Sequence, residues 1–107
     1  MLEKEIKRPM RLRNYKDSLL KRLEDPRYAA EYLAQVLAEK DSAAFLIALK
    51  DVVEAGGGMG NLASRVGLKR PSLYKILSKK GNPTLETLQE ILKPLGLRVS
   101  IALDEAA

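Results

Sequence analysis

The chain has 107 residues, which suits one compact domain and is too short for two. It contains no Cys and no His, which excludes a disulfide framework, a thiolate metal site and a histidine-based catalytic centre. No apolar run reaches the roughly 20 residues needed to cross a bilayer, and the charged N-terminus lacks the apolar core of a signal peptide. We therefore expect a cytoplasmic protein without a membrane partner, a metal, a cofactor or a catalytic site.

Positive charge is concentrated in one segment of the chain. The net charge is +5, yet residues 56–83 contain six basic residues and no acidic one, while the rest carries 13 basic and 14 acidic residues. A segment of a single sign is an electrostatic footprint for a polyanion such as nucleic acid. The alternative is a solvated surface, where both signs normally mix.

The N-terminal part predicts an arm followed by helices. Residues 1–14 are polar, basic and without clear periodicity, which predicts a basic arm ahead of one domain over residues 15–107. A short helix is expected from Tyr15 to Leu23. Asp25-Pro26 predicts the start of the next helix, because Asp can cap and Pro is tolerated at the first helical position. Apolar residues at helical spacing extend it to Glu39 or Lys40.

A third helix is predicted between Asp41 or Ser42, which would cap it, and the three glycines at 56–58, which would end it. Its expected buried stripe, with Ile47 near the edge, consists of Phe45, Ala48, Leu49, Val52 and Val53.

Two further short helices are predicted over Met59–Val66 and Arg70–Ser78, followed by a turn at Gly81-Asn82-Pro83. Thr84 would cap a last helix, whose expected buried residues are Leu85, Leu88, Leu92 and Leu95. The alternation in Leu97–Leu103 predicts a β-strand. The predicted fold is therefore mainly α, a bundle of five to six helices with a C-terminal β-strand.

The spacing within residues 59–78 is typical of a helix-turn-helix. Ala63 is small enough for two crossing helices to approach, and Gly67 can adopt the positive φ of a sharp turn. Leu73, Ile76 and Leu77 would bury one face of the second helix, which leaves the other face free to enter a DNA major groove. The alternative is an ordinary pair of amphipathic helices joined by a glycine turn.

The free face supplies candidate contacts to double-stranded DNA. Arg70 suits a bidentate contact to guanine, Pro71 a thymine methyl group, and Ser72 and Lys75 either base edges or a phosphate. Tyr74 could stack on the sugar-phosphate backbone or pack inward. The candidate phosphate contacts are Gly60, Asn61, Lys69, Tyr74, Lys79, Lys80 and Asn82.

Two other motifs are weaker. Ser72–Lys75 matches S-x-x-K, a nucleophile motif, but its S-D-N and K-T-G partners are missing. Gly56–Gly60 lacks the G-K-[ST] ending of a phosphate-binding loop, so a helix cap is the preferred interpretation.

Several stretches together resemble the addiction-module antidote proteins, antitoxins with a lambda-repressor-like (Xre-type) helix-turn-helix. The resemblance spans roughly residues 15–103, and Pro71 departs from the acidic or polar residue more usual in the family. The matching stretches are Asp25-Pro26 with Ala30–Leu33, Phe45–Val52 with Ala55–Gly57, Leu62-Ala63, Gly67-Leu68, Ser72–Lys75, Leu77-Ser78, Gly81–Thr84 and Leu95–Leu97.

The resemblance implies an antitoxin that neutralises a RelE/ParE-like toxin by direct binding and represses its own operon as a dimer. A strand at Leu97, Val99, Ile101 and Leu103 would have exposed edges, so we predict that it forms a homodimer interface. We expect toxin contacts on the basic arm and the helices of residues 15–40, so that deleting residues 1–14 weakens toxin binding. Two alternatives remain open: a stand-alone phage-type repressor, and an interaction protein that no longer binds DNA.

Overall fold

The computed structural model describes the backbone of residues 10–106 and the side chains of residues 14–106. In this part of the chain, six α-helices and one 3-10 turn form the regular structure, so the mainly helical fold is confirmed. None of these helices is long and apolar enough to cross a membrane. The elements are α1 (Met10–Leu23), α2 (Pro26–Ala38), α3 (Ser42–Ala55), α4 (Met59–Val66), α5 (Arg70–Ile76), α6 (Leu85–Leu92) and the 3-10 turn Lys93–Leu95.

Side-chain caps begin three of the helices, at Asp25 and Thr84 as predicted and at Asp41, one of the two residues expected to cap α3. The Asp25 carboxylate accepts the Arg27 N–H at 3.0 Å, and the Asp41 carboxylate accepts the Ala44 N–H at 3.1 Å. The Thr84 hydroxyl oxygen accepts the Thr87 N–H at 3.1 Å. Each bond satisfies a backbone donor that has no partner inside its helix, which defines where α2, α3 and α6 begin.

The central element of the core is α3, which packs against α1, α2 and α4. Its predicted stripe is confirmed for Ala48, Leu49, Val52 and Val53, all buried. Leu46 is buried as well, whereas Phe45 is only half-buried. Since α3 has neighbours on three sides, its buried surface is wider than a single helical stripe.

Several boundaries and the burial of Leu85 also differ from the sequence expectation, and α2 ends at Ala38 rather than at Glu39 or Lys40. The predicted arm overlaps α1, which begins at Met10; Met, Arg and Leu there are strong helix formers. Residues 1–9 of that arm lie outside the described residues. Helix α5 ends at Ile76 rather than Ser78. Leu85, expected in the core, is 61% exposed, because the first residue of α6 points away from the bundle and Ile91 is buried instead.

The predicted C-terminal β-strand is absent from the described residues. Residues 97–103 have no regular secondary structure. A strand requires a second strand to exchange backbone hydrogen bonds with, and residues 10–106 of this chain provide none. The Leu97 N–H donates to the Leu92 carbonyl at 3.0 Å, which ties the start of the segment to the end of α6.

Candidate nucleic-acid interface

Helices α4 and α5 pack against each other and are joined by a tight turn, and we call residues 59–76 the α4–α5 unit. Gly67 ends α4 with φ of 72° in the left-handed region, as predicted, and the Leu68 N–H donates to the Ala63 carbonyl at 3.0 Å. Ala63 is buried, and so is Leu73 on the inner face of α5. The unit therefore has one side in the core and one side facing solvent.

The candidate base-reading residues all lie on the solvent side of α5. Arg70, Pro71, Ser72 and Lys75 are exposed, whereas Leu73 between them is fully buried. Pro71 lies in the first turn of the helix, where a missing N–H costs no hydrogen bond. The structure brings these four residues together on one exposed surface.

The candidate phosphate contacts flank that surface. Lys69 precedes α5, while Lys79, Lys80 and Asn82 follow it in the loop to α6, and all four are exposed. Asn61 and the half-buried Gly60 lie in the first turn of α4. The residue before this turn is Gly58, which makes no side-chain cap, so the N–H groups of the turn are not covered by a capping side chain.

One contact between the two helices could not be found from the sequence. The guanidinium group of Arg70 lies across Gly60, so that a Cβ atom at Gly60 would be 3.3 Å from both Cζ and Nε of Arg70. The side chain of Arg70 thus extends from the beginning of α5 to the first turn of α4. Its charge adds to the positive end of the α4 dipole.

Tyr74 lies at the protein surface, and the Nζ atom of Lys50 is 5.3 Å from the centre of its ring. This is the geometry of a cation–π interaction. Lys50 belongs to α3 and lies outside the acid-free segment, so charge counting along the chain missed it. It brings a further positive charge next to α5.

Both carboxylates of α3 form ion pairs with a lysine of α1. Lys16 Nζ lies 3.6 Å from an oxygen of Asp51 and 3.6 Å from an oxygen of Glu54. Burial raises the pKa of Asp51, and the Lys16 charge opposes that shift. By contrast, none of the six basic residues of 56–83 forms an ion pair among the side chains of residues 14–106. Among the described side chains, the positive charges of residues 56–83 are therefore not neutralised by ion pairs.

The loop after α5 is held by a close backbone approach that also positions Lys79 and Lys80. The Gly81 N–H donates to the Ser78 carbonyl at 2.9 Å. A Cβ atom at Gly81 would overlap the carbonyl oxygen of Ile76 and lie 2.7 Å from its carbonyl carbon. Only glycine fits at this position. The sequence predicted a turn here, but it did not show that the backbone of Ile76 leaves no room for a side chain.

The candidate dimer residues lie in the C-terminal segment that follows the 3-10 turn. Leu97 is half-buried and packs against the core, whereas Val99, Ile101 and Leu103 are exposed. Among the described residues, no group of three carboxylates, histidines or cysteines could hold a metal ion.

The fold and this surface define a small helical protein with a solvent-exposed, basic helix pair. A family model described as "probable addiction module antidote protein" matches residues 15–103, and the chain belongs to this family. An antidote implies a toxin as its partner. An uncharacterized protein of Haemophilus influenzae is 37% identical over 70 residues, which cover 65% of this chain and 71% of the relative. No solved structure matches the chain.

Proposed function

We propose that the chain is the DNA-binding antitoxin of a toxin–antitoxin module, and that its α4–α5 unit is a lambda-repressor-like helix-turn-helix. The observation that carries this proposal is the arrangement on α5: Leu73 is fully buried, while Arg70, Ser72 and Lys75 are exposed and belong to an acid-free segment of the chain. In this function α5 is the recognition helix and enters the major groove.

The residues around α5 have distinct roles in this proposal. Arg70 donates two hydrogen bonds to a guanine, Pro71 contacts a thymine methyl group, and Ser72 and Lys75 contact base edges or a phosphate. The N–H groups of Gly60 and Asn61 approach a phosphate at the positive end of α4. The flanking DNA backbone is contacted by Lys69, Tyr74, Lys79, Lys80 and Asn82.

Autorepression requires the protein to recognise its own promoter. We propose that it does so as a homodimer formed through Leu97, Val99, Ile101 and Leu103, because a two-fold protein matches a two-fold operator. Exposed apolar side chains in residues 99–103 support this assignment. The proposed location of the protein is the cytoplasm, where operator DNA is accessible.

The second partner is a RelE/ParE-like toxin, which the chain neutralises by direct binding. We place its contacts on the N-terminal arm and on α1 and α2, away from the recognition helix. Because the described part of α1 begins at Met10, the informative deletion is residues 1–9, which removes none of the described helix. This deletion should weaken toxin binding and leave DNA binding intact; an unchanged toxin affinity would overturn the placement.

A gel-shift titration with the upstream region of its own operon tests DNA binding. Binding should weaken as salt rises, because Lys and Arg displace condensed counterions. If Lys69, Lys79 and Lys80 each neutralise one phosphate, the slope of log affinity against log salt approaches about −3 per chain. If no binding is seen at low salt, the DNA-binding proposal is wrong, and the chain is better described as an interaction protein that does not bind DNA.

The alternative function is a stand-alone phage-type repressor without a toxin. Both functions predict the same gel shift, so the adjacent gene discriminates between them. A short reading frame for a basic protein, whose product is captured by this chain, supports the antitoxin. Membership of the antidote family favours the antitoxin over the repressor.

A further inference from the structure

An apolar groove of about 270 Å³ lies between α2 and the segment that follows α6. Residues 97–100 form one wall, and Arg98 is the charged residue among those lining it. On the other side Leu37 of α2 is 61% exposed. The apolar side chains that line the groove include Ala30, Leu33, Leu37, Phe45, Leu88 and Leu92.

Just beyond the groove, the same chain carries two large apolar side chains in solvent. Ile101 is 97% exposed and Leu103 is 86% exposed. They alternate in phase with Val99, which lines the groove, but they lie past its end. Burying them would be favourable, because apolar surface would be removed from water. The monomer therefore leaves both a receiving surface and two side chains that could cover it.

We propose that the groove receives Leu103 of a second copy of this chain, and that the first copy occupies the groove of the second in the same way. The two segments of residues 97–103 then lie side by side in opposite directions, with Ile101 near the two-fold axis. This arrangement rests on the proposed homodimer and adds the surface that receives the partner. A single patch that serves both copies gives a closed, isologous interface.

Charge complementarity favours a second copy as the occupant. The acidic residues Asp104 and Glu105 directly follow Leu103. When Leu103 lies beside Val99 of the partner, the antiparallel arrangement places Asp104 opposite Arg98 on the wall of the groove. The contact pairs opposite charges twice, once for each copy.

The absence of Cys from the chain allows a specific cross-linking test. The variants Leu37→Cys and Leu103→Cys are purified separately, mixed and oxidised, so that a disulfide between positions 37 and 103 can form only between two chains. Tryptic fragments 28–40 and 99–107 would carry the linked residues. The matched control is Tyr15→Cys mixed with Leu103→Cys, because Tyr15 is 64% exposed but lies on α1 outside the groove.

We expect a dimer by light scattering, with on the order of tenfold more 37–103 product than 15–103 product, because docking raises the effective concentration of the two thiols. A dimer without this excess overturns the groove assignment and leaves the homodimer standing. A monomer overturns both, and a gel shift then shows separately whether DNA binding survives.

The charge variant Leu37→Lys distinguishes a second copy from the toxin as occupant of the groove. We expect it to shift the light-scattering mass from dimer to monomer while the circular-dichroism spectrum of the folded protein keeps its helical content, since the residue is exposed. Gln89→Lys, an exposed position on α6 that neither lines the groove nor lies on the helices assigned to the toxin, is its control. If Leu37→Lys loses toxin binding and remains a dimer, the groove belongs to the toxin and the proposal is wrong.

Discussion

The guanidinium group of Arg70 lies across Gly60, 3.3 Å from where a Cβ atom would stand. Gly60→Ala should therefore displace Arg70 without damaging the fold, because the atoms that must move belong to an exposed, flexible side chain. Alanine also favours a helix by up to about 1 kcal/mol over glycine. We expect equal or higher resistance to urea unfolding together with weaker operator binding in a gel shift.

The control for this substitution is Ser64→Ala, which changes an exposed residue of the same helix. It should leave both measurements unchanged. If Gly60→Ala bound the operator as tightly as the unmodified protein, neither Arg70 nor the first turn of α4 could contact DNA in the proposed way.

Arg70 and Lys80 should differ in what their removal does to DNA binding. Arg70→Ala should cost about 1–3 kcal/mol on the operator and relax preference at one base pair, because a bidentate contact to guanine is lost. Lys80→Ala should weaken binding to all sequences about equally. Competition gel shifts with operator variants measure the difference, and normal operator binding by Arg70→Ala would remove α5 from the role of recognition helix.

Leu73 and Leu85 have the same side chain but differ strongly in burial. Leu73 is fully buried on α5, and Leu73→Ala should reduce the free energy of unfolding by about 2–5 kcal/mol. Leu85 is 61% exposed, and Leu85→Ala should change it by no more than about 0.5 kcal/mol. Urea denaturation of the two variants tests the burial pattern. If both variants lost a similar free energy of unfolding, Leu85 would be buried, and α6 would pack by the face that the sequence predicted.

Gly67 and Gly81 are required for different reasons. Gly67→Ala keeps free space around the new Cβ and should cost about 1–2 kcal/mol for its left-handed φ. Gly81→Ala should cost more, because the new Cβ overlaps the backbone carbonyl of Ile76 and the loop must move. Thermal melts rank the two. An equal or smaller loss for Gly81→Ala would disprove the close approach.

Asp51 should make stability depend on pH. Its pKa in the folded protein is raised from 3.8, chiefly by burial, so the folded state binds its proton more tightly than the unfolded state does. Stability from this group is therefore lost as pH rises from 3.8 through the folded pKa. Asp51→Asn should flatten this dependence and retain stability at pH 7, measured by urea unfolding over that range.

Glu54→Gln is the control, because Glu54 shares the Lys16 contact but is more exposed than Asp51. A large loss of stability at pH 7 in Asp51→Asn, without a similar loss in Glu54→Gln, would mean that the ion pair with Lys16 outweighs the cost of burying the carboxylate.

The local features of the fold were predictable from neighbouring residues. The caps at Asp25, Asp41 and Thr84 and the left-handed turn at Gly67 depend on contacts within a few positions of the chain. The acid-free segment of residues 56–83 likewise follows from counting charges. These features were sufficient to locate the α4–α5 unit and the exposed side of α5.

Only the tertiary structure decided the features that join distant parts of the chain. Lys50 of α3 lies over the ring of Tyr74 of α5, and Leu85 of α6 is left in solvent. Both features depend on how the helices pack against one another. The alternation in Leu97–Leu103 predicted a strand, yet periodicity describes side chains and cannot supply the second strand that a ladder requires. The sequence by itself thus determined a helical protein with one basic, acid-free segment. Three-dimensional packing determined which side chains share a surface with that segment and which apolar residues remain exposed.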